Sequence, residues 1–116
     1  MDGGSAISRR WPPYFMTEII WSAGFFEGDG CISVSTNSRQ IRLSIEQASL
    51  ERLERIQSAL GVGNINGPHG PYGISKLARY TWSVNRKKDV KKAMNLMWPY
   101  LGPTTRQRLR DCLDVL

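Results

Sequence analysis

The sequence predicts an α+β domain in which an antiparallel four-stranded sheet carries helices on one of its two faces. Three observations predict this class. Strand-like segments occur in two pairs, helix-like segments flank and separate those pairs, and the strand segments alternate apolar with polar residues. Alternation leaves one apolar face for the helices to cover and one polar face. A chain of 116 residues is long enough for one such domain.

The first helix is predicted over residues 17–28, where apolar residues recur at helical spacing and two glycines then flank Asp29. Two strands follow, because residues 31–35 and 39–47 alternate apolar with polar side chains about a polar turn. In the second of these strands, residues 41, 43 and 45 are expected to face inward. These two strands are predicted to form a hairpin.

The second half of the chain repeats this order and ends with two helices. Ser49 is expected to cap the next helix, and Gly61 to end it. The remaining elements are a strand over 62–66, a loop over 67–73, a strand over 77–85, and helices over 88–97 and 104–115. The complete predicted order is α-β-β-α-β-β-α-α.

Glu27 and Asp29 place negative charge at the C-terminal end of the first helix. Unpaired carbonyls make negative charge unfavourable there by about 0.3–1 kcal/mol, so cations are expected instead. A divalent metal ion would reverse that sign. A simpler interpretation stays open, in which Gly30 only ends the helix and both carboxylates are solvated.

Gly24 and Gly28 lie four residues apart, on one face of the first helix. Each glycine lowers helix propensity by about 1 kcal/mol, so a compensating role is expected. A face without side chains allows a second helix to approach until the backbones touch. If that helix is a copy of the first, two Asp29 carboxylates meet at the shared end and require a cation, a proton or another partner.

Composition narrows the possible partners. Sixteen Lys and Arg against ten Asp and Glu give a formal charge of +6 and a pI near 9.8, which suits a polyanion, although solubility alone also explains it. Two cysteines form no recognisable metal or redox motif, so a reducing, intracellular location is expected. No apolar run approaches the roughly 20 residues of a membrane span. Residues 1–15 are expected to form a flexible leader, and residues 16–116 a single domain.

The string WSAGFFEGDGCI resembles the signature of the LAGLIDADG homing endonucleases, with Ala23, Gly24, Asp29 and Gly30 on signature positions. The departures from the signature are Ser22, Phe25, Phe26 and Glu27, where Glu27 replaces an aspartate. The resemblance continues through LSIEQASLERLERIQSALGVGNI, and the element order over residues 16–115 fits one family repeat.

This resemblance implies the αββαββα half-saddle fold and site-specific cleavage of double-stranded DNA. Because only one signature occurs, it implies a homodimer on a near-palindromic site. The expected dimer contacts are Ala23, Gly24, Glu27 and Gly28. Asp29 of each subunit would hold Mg²⁺ or another divalent cation for phosphodiester hydrolysis. Glu27 is expected either to cap a backbone segment or to pair with a basic side chain.

Gln47 and Arg106 complete the catalytic residues that the resemblance implies. Gln47 occupies the place of a polar residue that orders catalytic water; alternatively, its amide bonds the backbone before Ser49. A basic residue is expected after the penultimate helix, but Thr104 falls there. Arg106 then either substitutes for that basic residue or is a solvated helix charge.

The polar sheet face is the predicted DNA-binding surface. A β-ribbon fits the major groove, where Arg and Gln pair with guanine and adenine edges. The alternative is an ordinary solvated face. Within the resemblance, the base-reading positions are Ser33, Ser35, Asn37, Gln40, Arg42, Ser44, Asn66, Lys76, Arg79 and Thr81.

Two other functions remain open at the level of sequence. One is a relative that binds DNA or RNA without cutting, such as an intron splicing cofactor or a regulator. The other is a small dimeric domain whose charge serves only solubility. Asp29 favours the endonuclease, whereas Thr104 favours the non-cleaving relative.

Overall fold

The computed structural model describes residues 14–71 and 77–115. In chain order the elements are α1 (Tyr14–Asp29), β1 (Gly30–Ser35), β2 (Gln40–Gln47), α2 (Leu50–Leu60), β3 (Asn64–His69), β4 (Arg79–Val84), α3 (Lys87–Met97), a 3₁₀ turn (Trp98–Tyr100) and α4 (Pro103–Val115). Apart from the short 3₁₀ turn, this is the predicted order.

The four strands form one antiparallel sheet in the order β1-β2-β4-β3. The predicted hairpin is confirmed, since Ser33 lies opposite Arg42 and Ser35 lies opposite Gln40. The helices pack on the apolar face of the sheet, which confirms the predicted α+β class.

The core lies between this apolar face and the helices. Ile41, Leu43 and Ile45 of β2 are at most 3% exposed, as their alternation predicts. Trp82 on β4 is fully buried, and its Nε1 donates to the Val62 carbonyl oxygen at 3.1 Å. Tryptophans usually find such a partner when buried, because an unpaired indole N–H is costly in the core.

The helix α1 packs against α2 through a charged pair as well as apolar contacts. Glu18 is buried, and its carboxylate accepts bonds from Arg55 Nε at 2.7 Å and Nη2 at 2.9 Å. The Arg55 guanidinium therefore lowers the pKa of Glu18. Ser49 caps α2 by accepting from the Arg52 N–H, and Gly61 ends it with φ of 70°, both as predicted.

The two largest differences from the predicted element boundaries, of three residues each, lie at the start of α1 and at the end of β3. Helix α1 begins at Tyr14, so the last two residues assigned to the leader are helical; the rest of the leader lies outside the described residues. Strand β3 covers Asn64–His69, although Gly67 and Pro68 were predicted to begin a loop. Pairing with β4 explains this extension: it shifts register between Asn66 and His69, which accommodates the glycine and proline.

Candidate functional site

The ends of α1 and β2 meet at one corner of the sheet. Asp29 is the last residue of α1, and Gln47 is the last residue of β2. The pairing of Gly30 with Ile45 brings these two ends together. Gln47 Nε2 donates to Asp29 Oδ2 at 2.7 Å. The sequence predicted both residues, and the structure joins them, with a carboxylate rather than the backbone as the partner of the amide.

The Asp29 carboxylate is suited to holding a cation. It is exposed at the carbonyl end of α1, and in the described part of the chain no Lys or Arg pairs with it. Mg²⁺ accepts one or two carboxylates and keeps several waters. Within residues 14–71 and 77–115 of one protomer, no three His, Cys, Asp or Glu side chains cluster to hold a metal. A cation at Asp29 would therefore draw further ligands from water, DNA or a second protomer.

Glu27 has a different environment, although it lies only two residues before Asp29. Its Oε2 accepts from Thr105 Oγ1 and its Oε1 accepts from the Gly102 N–H, both at 2.6 Å. These donors stand at the start of α4, where a carboxylate also complements the helix dipole. Thr105 and then Gly102 lower the pKa of Glu27. Of the two predicted interpretations, capping is therefore confirmed and pairing with a basic side chain is wrong.

The predicted dimer contacts divide into two groups. Gly24 and Gly28 face open space, since a Cβ added to either would meet nothing within 4 Å. Ala23 has no exposed surface and packs in the protomer core, so its assignment to the interface is wrong. The carboxylate of Glu27 is occupied by α4. The exposed face of α1 therefore includes the two glycines together with Ile20, and its role in dimerisation stays a prediction.

Arg106 is anchored to the backbone that precedes α4. Its Nε donates to the Trp98 carbonyl oxygen at 3.0 Å, and its Nη2 donates to that of Pro99 at 3.1 Å. Among the described residues, no hydrogen bond or ion pair joins Arg106 to Asp29 or Gln47. Its guanidinium therefore fastens the 3₁₀ turn to α4, and it is not simply a solvated charge. Thr104 is exposed beside it.

The outer face of the sheet carries the predicted DNA-binding side chains in cross-strand rows. The registers pair Ser33 with Arg42, Ser35 with Gln40, and Asn66 with Thr81. The predicted residues that the structure places on this face are Ser33, Ser35, Gln40, Arg42, Ser44, Asn66, Arg79 and Thr81. Asn37 lies in the hairpin turn, and Lys76 lies outside the described residues.

Arg42 and Arg79 are the basic residues of this outer face in the described part of the chain, and they differ in how they are held. Arg79 Nε lies 3.8 Å from Glu46 Oε1, and its Nη2 donates to the Glu46 carbonyl oxygen at 3.3 Å. Arg42 is exposed and has no such partner among the described residues. Arg42 is thus the more available of the two for a bidentate contact with a guanine edge.

Five further side chains share the outer face but were absent from the predicted set: Cys31, Glu46, Asn64, His69 and Ser83. The registers place Cys31, Ser44, Ser83 and Asn64 in one row across all four strands, and His69 opposite Arg79. The position of Cys31 was predictable, because residues two apart on a strand point to the same face and Cys31 therefore lies on the same face as Ser33 and Ser35. The position of His69 was not predictable in this way, since the strand was predicted to end before it.

Comparison with known proteins agrees with this geometry. Residues 22–106 match the family model described as LAGLIDADG endonuclease. The chain belongs to the LAGLIDADG endonuclease family. The match covers the second half of α1 and all of β2, whose ends carry the Asp29–Gln47 pair. A search of curated protein sequences finds no match.

Several solved structures of homing endonucleases share the fold. The structure of I-CvuI in complex with its target has a TM-score of 0.64 at 18% identity, covering 88% of this chain and 68% of that one. The archaeal intron-encoded I-Vdi141I complexed with DNA gives 0.57 at 25% identity, covering 72% and 55%. I-TnaI gives 0.63 at 17% identity, covering 83% and 69%.

Proposed function

We propose that this protein is a site-specific endonuclease that hydrolyses double-stranded DNA with Mg²⁺ or another divalent cation, acting inside the cell as a homodimer. The observation that carries the proposal is the exposed Asp29 carboxylate, which Gln47 holds where α1 and β2 end. Membership of the LAGLIDADG endonuclease family supports it. The DNA complexes of I-CvuI and I-Vdi141I support the choice of substrate.

The outer sheet face would bind the DNA. Its rows of Ser, Asn, Gln and Arg side chains offer donors and acceptors at the spacing of paired strands, and such a ribbon fits the major groove. Arg42 and Gln40 would read guanine and adenine edges directly. Phosphate contacts from basic residues would make binding fall with salt, by a log-log slope of about −0.9 per contact.

Asp29 would hold the cation, and Gln47 would fix the orientation of its carboxylate by donating to Oδ2. When bound, Mg²⁺ supplies polarisation of the scissile phosphate, a lower pKa for an attacking water and stabilisation of the leaving oxygen. Gln47 has a second amide hydrogen, which is suited to holding a water beside Asp29. Arg106 would act only through the backbone it anchors.

Dimerisation would bring two such corners together. The open surface at Gly24 and Gly28 admits a second α1 at close range. A single protomer offers Asp29 without further clustered ligands in its described part, and a second Asp29 would complete the site. Two subunits related by a twofold axis would then read a near-palindromic sequence, one half-site each.

Incubation with Mg²⁺ and a library of random DNA duplexes tests the proposal. The expected result is a set of cut ends that share a near-palindromic sequence. Recovery of bound but intact duplex would instead identify a non-cleaving relative, an outcome that exposed Thr104 and anchored Arg106 make worth testing. A protein that neither binds nor cuts would contradict the function altogether.

The Gly24→Leu substitution tests the dimer. A leucine there would hold the partner helix away, so sedimentation is expected to show a monomer. The matched control is Ser58→Leu, which adds the same side chain to an exposed position on α2. A dimer that survives Gly24→Leu would contradict the interface.

A further inference from the structure

The helix α3 carries a dense cluster of positive charge at its start. Five cations occur within the seven residues 86–92, and all five are exposed. They are Arg86, Lys87, Lys88, Lys91 and Lys92. We call this the α3 cation surface. The one acidic residue of α3 is Asp89, in its first turn.

This arrangement is unfavourable within the chain itself. Lys87 and Lys91, and likewise Lys88 and Lys92, are like-charge pairs four residues apart on a helix. Lys87 and Lys88 also stand at the positive end of the helix dipole, where Arg86 provides no side-chain cap. Among the described residues, no ion pair relieves any of these cations. A bound polyanion would remove both penalties at once.

The α3 cation surface does not face the DNA-binding side of the sheet. Val90, Ala93 and Met94 bury the opposite side of α3 in the core, against the apolar face of the sheet. The sheet therefore lies between α3 and the outer side chains such as Arg42. A duplex that lies on the outer face is separated from the lysines of α3 by the thickness of the sheet.

The positive surface extends beyond the helix on one flank, through Arg39. On one side, Arg39 joins Lys87 and Lys91 around a groove floored by Ile41 and Val90. On the other side, Lys92 Nζ lies beside Gly61, 3.1 Å from where a Cβ would stand. The cations thus form a band that reaches from Arg39 in the hairpin turn to Lys92 beside the end of α2.

The chemistry of this band selects a phosphodiester backbone. Four of the five cations of the α3 cation surface are lysines, whose ammonium groups are compact point charges without the planar fork that reads base edges. Residues 87–97 include no aromatic side chain on which unpaired bases would stack, which favours a duplex over a single strand. We propose that the α3 cation surface binds the backbone of a second nucleic-acid duplex, independently of its sequence, while the outer sheet face holds the first.

A capture assay tests this proposal with the whole chain. Protein is first bound to an immobilised random 30-base-pair DNA duplex at low salt. A labelled second duplex of the same length, either DNA or RNA, is then added, and its retention is measured. Retention of both labels identifies any duplex backbone as the ligand, and retention of one identifies which duplex the surface prefers.

The decisive variant replaces Lys87, Lys88, Lys91 and Lys92 by Gln. Capture of the second duplex is expected to fall at least tenfold, and its log-log salt slope to flatten by about 3 to 4, because up to four counterions are no longer released. Retention on the immobilised duplex should change much less. The control variant with Arg at the same four positions keeps the charge and should capture as the wild type does.

Two results would overturn the proposal: no second duplex captured by the wild type, or undiminished capture by the glutamine variant. The variant Arg42→Gln with Arg79→Gln separates this proposal from the proposed function. The double variant of Arg42 and Arg79 could keep full retention on the immobilised duplex while the glutamine variant of α3 loses that retention. In that case the assignment of DNA binding to the outer sheet face is wrong, and nucleic-acid binding by the α3 cation surface still stands.

Discussion

Glu27 and Asp29 lie within one turn of the same helix, and the structure assigns them opposite surroundings. Each oxygen of the Glu27 carboxylate accepts a hydrogen bond from its own chain, from Thr105 Oγ1 and from the Gly102 N–H at the start of α4. The Asp29 carboxylate is exposed and receives one amide hydrogen bond, from Gln47. The first acid therefore joins two helices, and the second remains available to a ligand.

The comparison shows why an acidic pair at a helix end need not be a pair in function. Both carboxylates are unfavourable beside the α1 carbonyls. For Glu27 this cost is offset inside the protomer, because the positive end of α4 lies against it. For Asp29 it is offset only in part, by a neutral amide, which leaves a preference for a cation. The predictions below test this division of roles.

Apart from the change of Asp29 itself, the largest effect is expected from the loss of Gln47, the amide partner of Asp29. Gln47→Ala should lower the cleavage rate or the apparent Mg²⁺ affinity by about 10–100-fold, as loss of a group that orients a metal ligand typically does. The thermal midpoint should stay close to that of the wild type. Gln107→Ala is the matched control, since it removes an amide–carboxylate contact of 2.9 Å on exposed α4. Equal losses in the two variants would contradict a specific role for Gln47.

A smaller effect, on stability alone, is expected when Glu27 is changed. Glu27→Gln removes the charge that caps α4 and should lower the free energy of unfolding by about 1 kcal/mol. Denaturant titration measures it, with exposed Glu54→Gln on α2 as the control. If both variants are as stable as the wild type, Glu27 does not hold α4 in solution.

The free energy of unfolding should depend on pH in part through the ionisation of Glu27. Because Thr105 and Gly102 lower its folded pKa below the ordinary value of 4.5, its contribution is fully present above that value. The contribution is lost as the pH falls through the folded pKa. The stability difference between the wild type and Glu27→Gln should therefore shrink in acid. A difference that stays constant from neutral pH into acid would disprove the linkage.

The smallest effect is expected from Thr105→Val, which keeps the shape of the side chain and removes one of the two donors to Glu27. We expect a loss of about 0.5–1 kcal/mol. Thr105→Ser retains a hydroxyl and should stay near the wild type. In the background of Glu27→Gln, the same Val substitution should cost less, because the partner has already changed.

Much of the fold follows from the alternation of apolar residues. Ile41, Leu43 and Ile45 specified the buried face of β2, and the same alternation left Ser33 and Arg42 on the outer face. The prediction failed where local propensity and pairing disagree. Gly67 and Pro68 predicted a loop, but pairing with β4 keeps them within β3.

The sequence identified residues of the candidate site, but it did not identify their hydrogen-bond partners. The signature residues identified Asp29 and Gln47, yet nothing in the sequence connected Glu27 to Thr105, which lies 78 residues away. The same limitation applies to Ala23, whose burial depends on how α1 packs rather than on its signature position. Arg106 was likewise selected by position along the chain, while the Trp98 and Pro99 carbonyls determine where its guanidinium lies.

The most direct test compares cleavage by Asp29→Asn and Glu27→Gln on one duplex selected from the random library, under conditions where both variants are folded. Asp29→Asn should keep binding and lose cleavage by at least about 100-fold, since several kcal/mol of transition-state stabilisation depend on the cation it holds. Glu27→Gln should cut like the wild type, as should the control Asp114→Asn on exposed α4. Cleavage that survives Asp29→Asn, or that disappears in folded Glu27→Gln, would contradict the separation of the two acids.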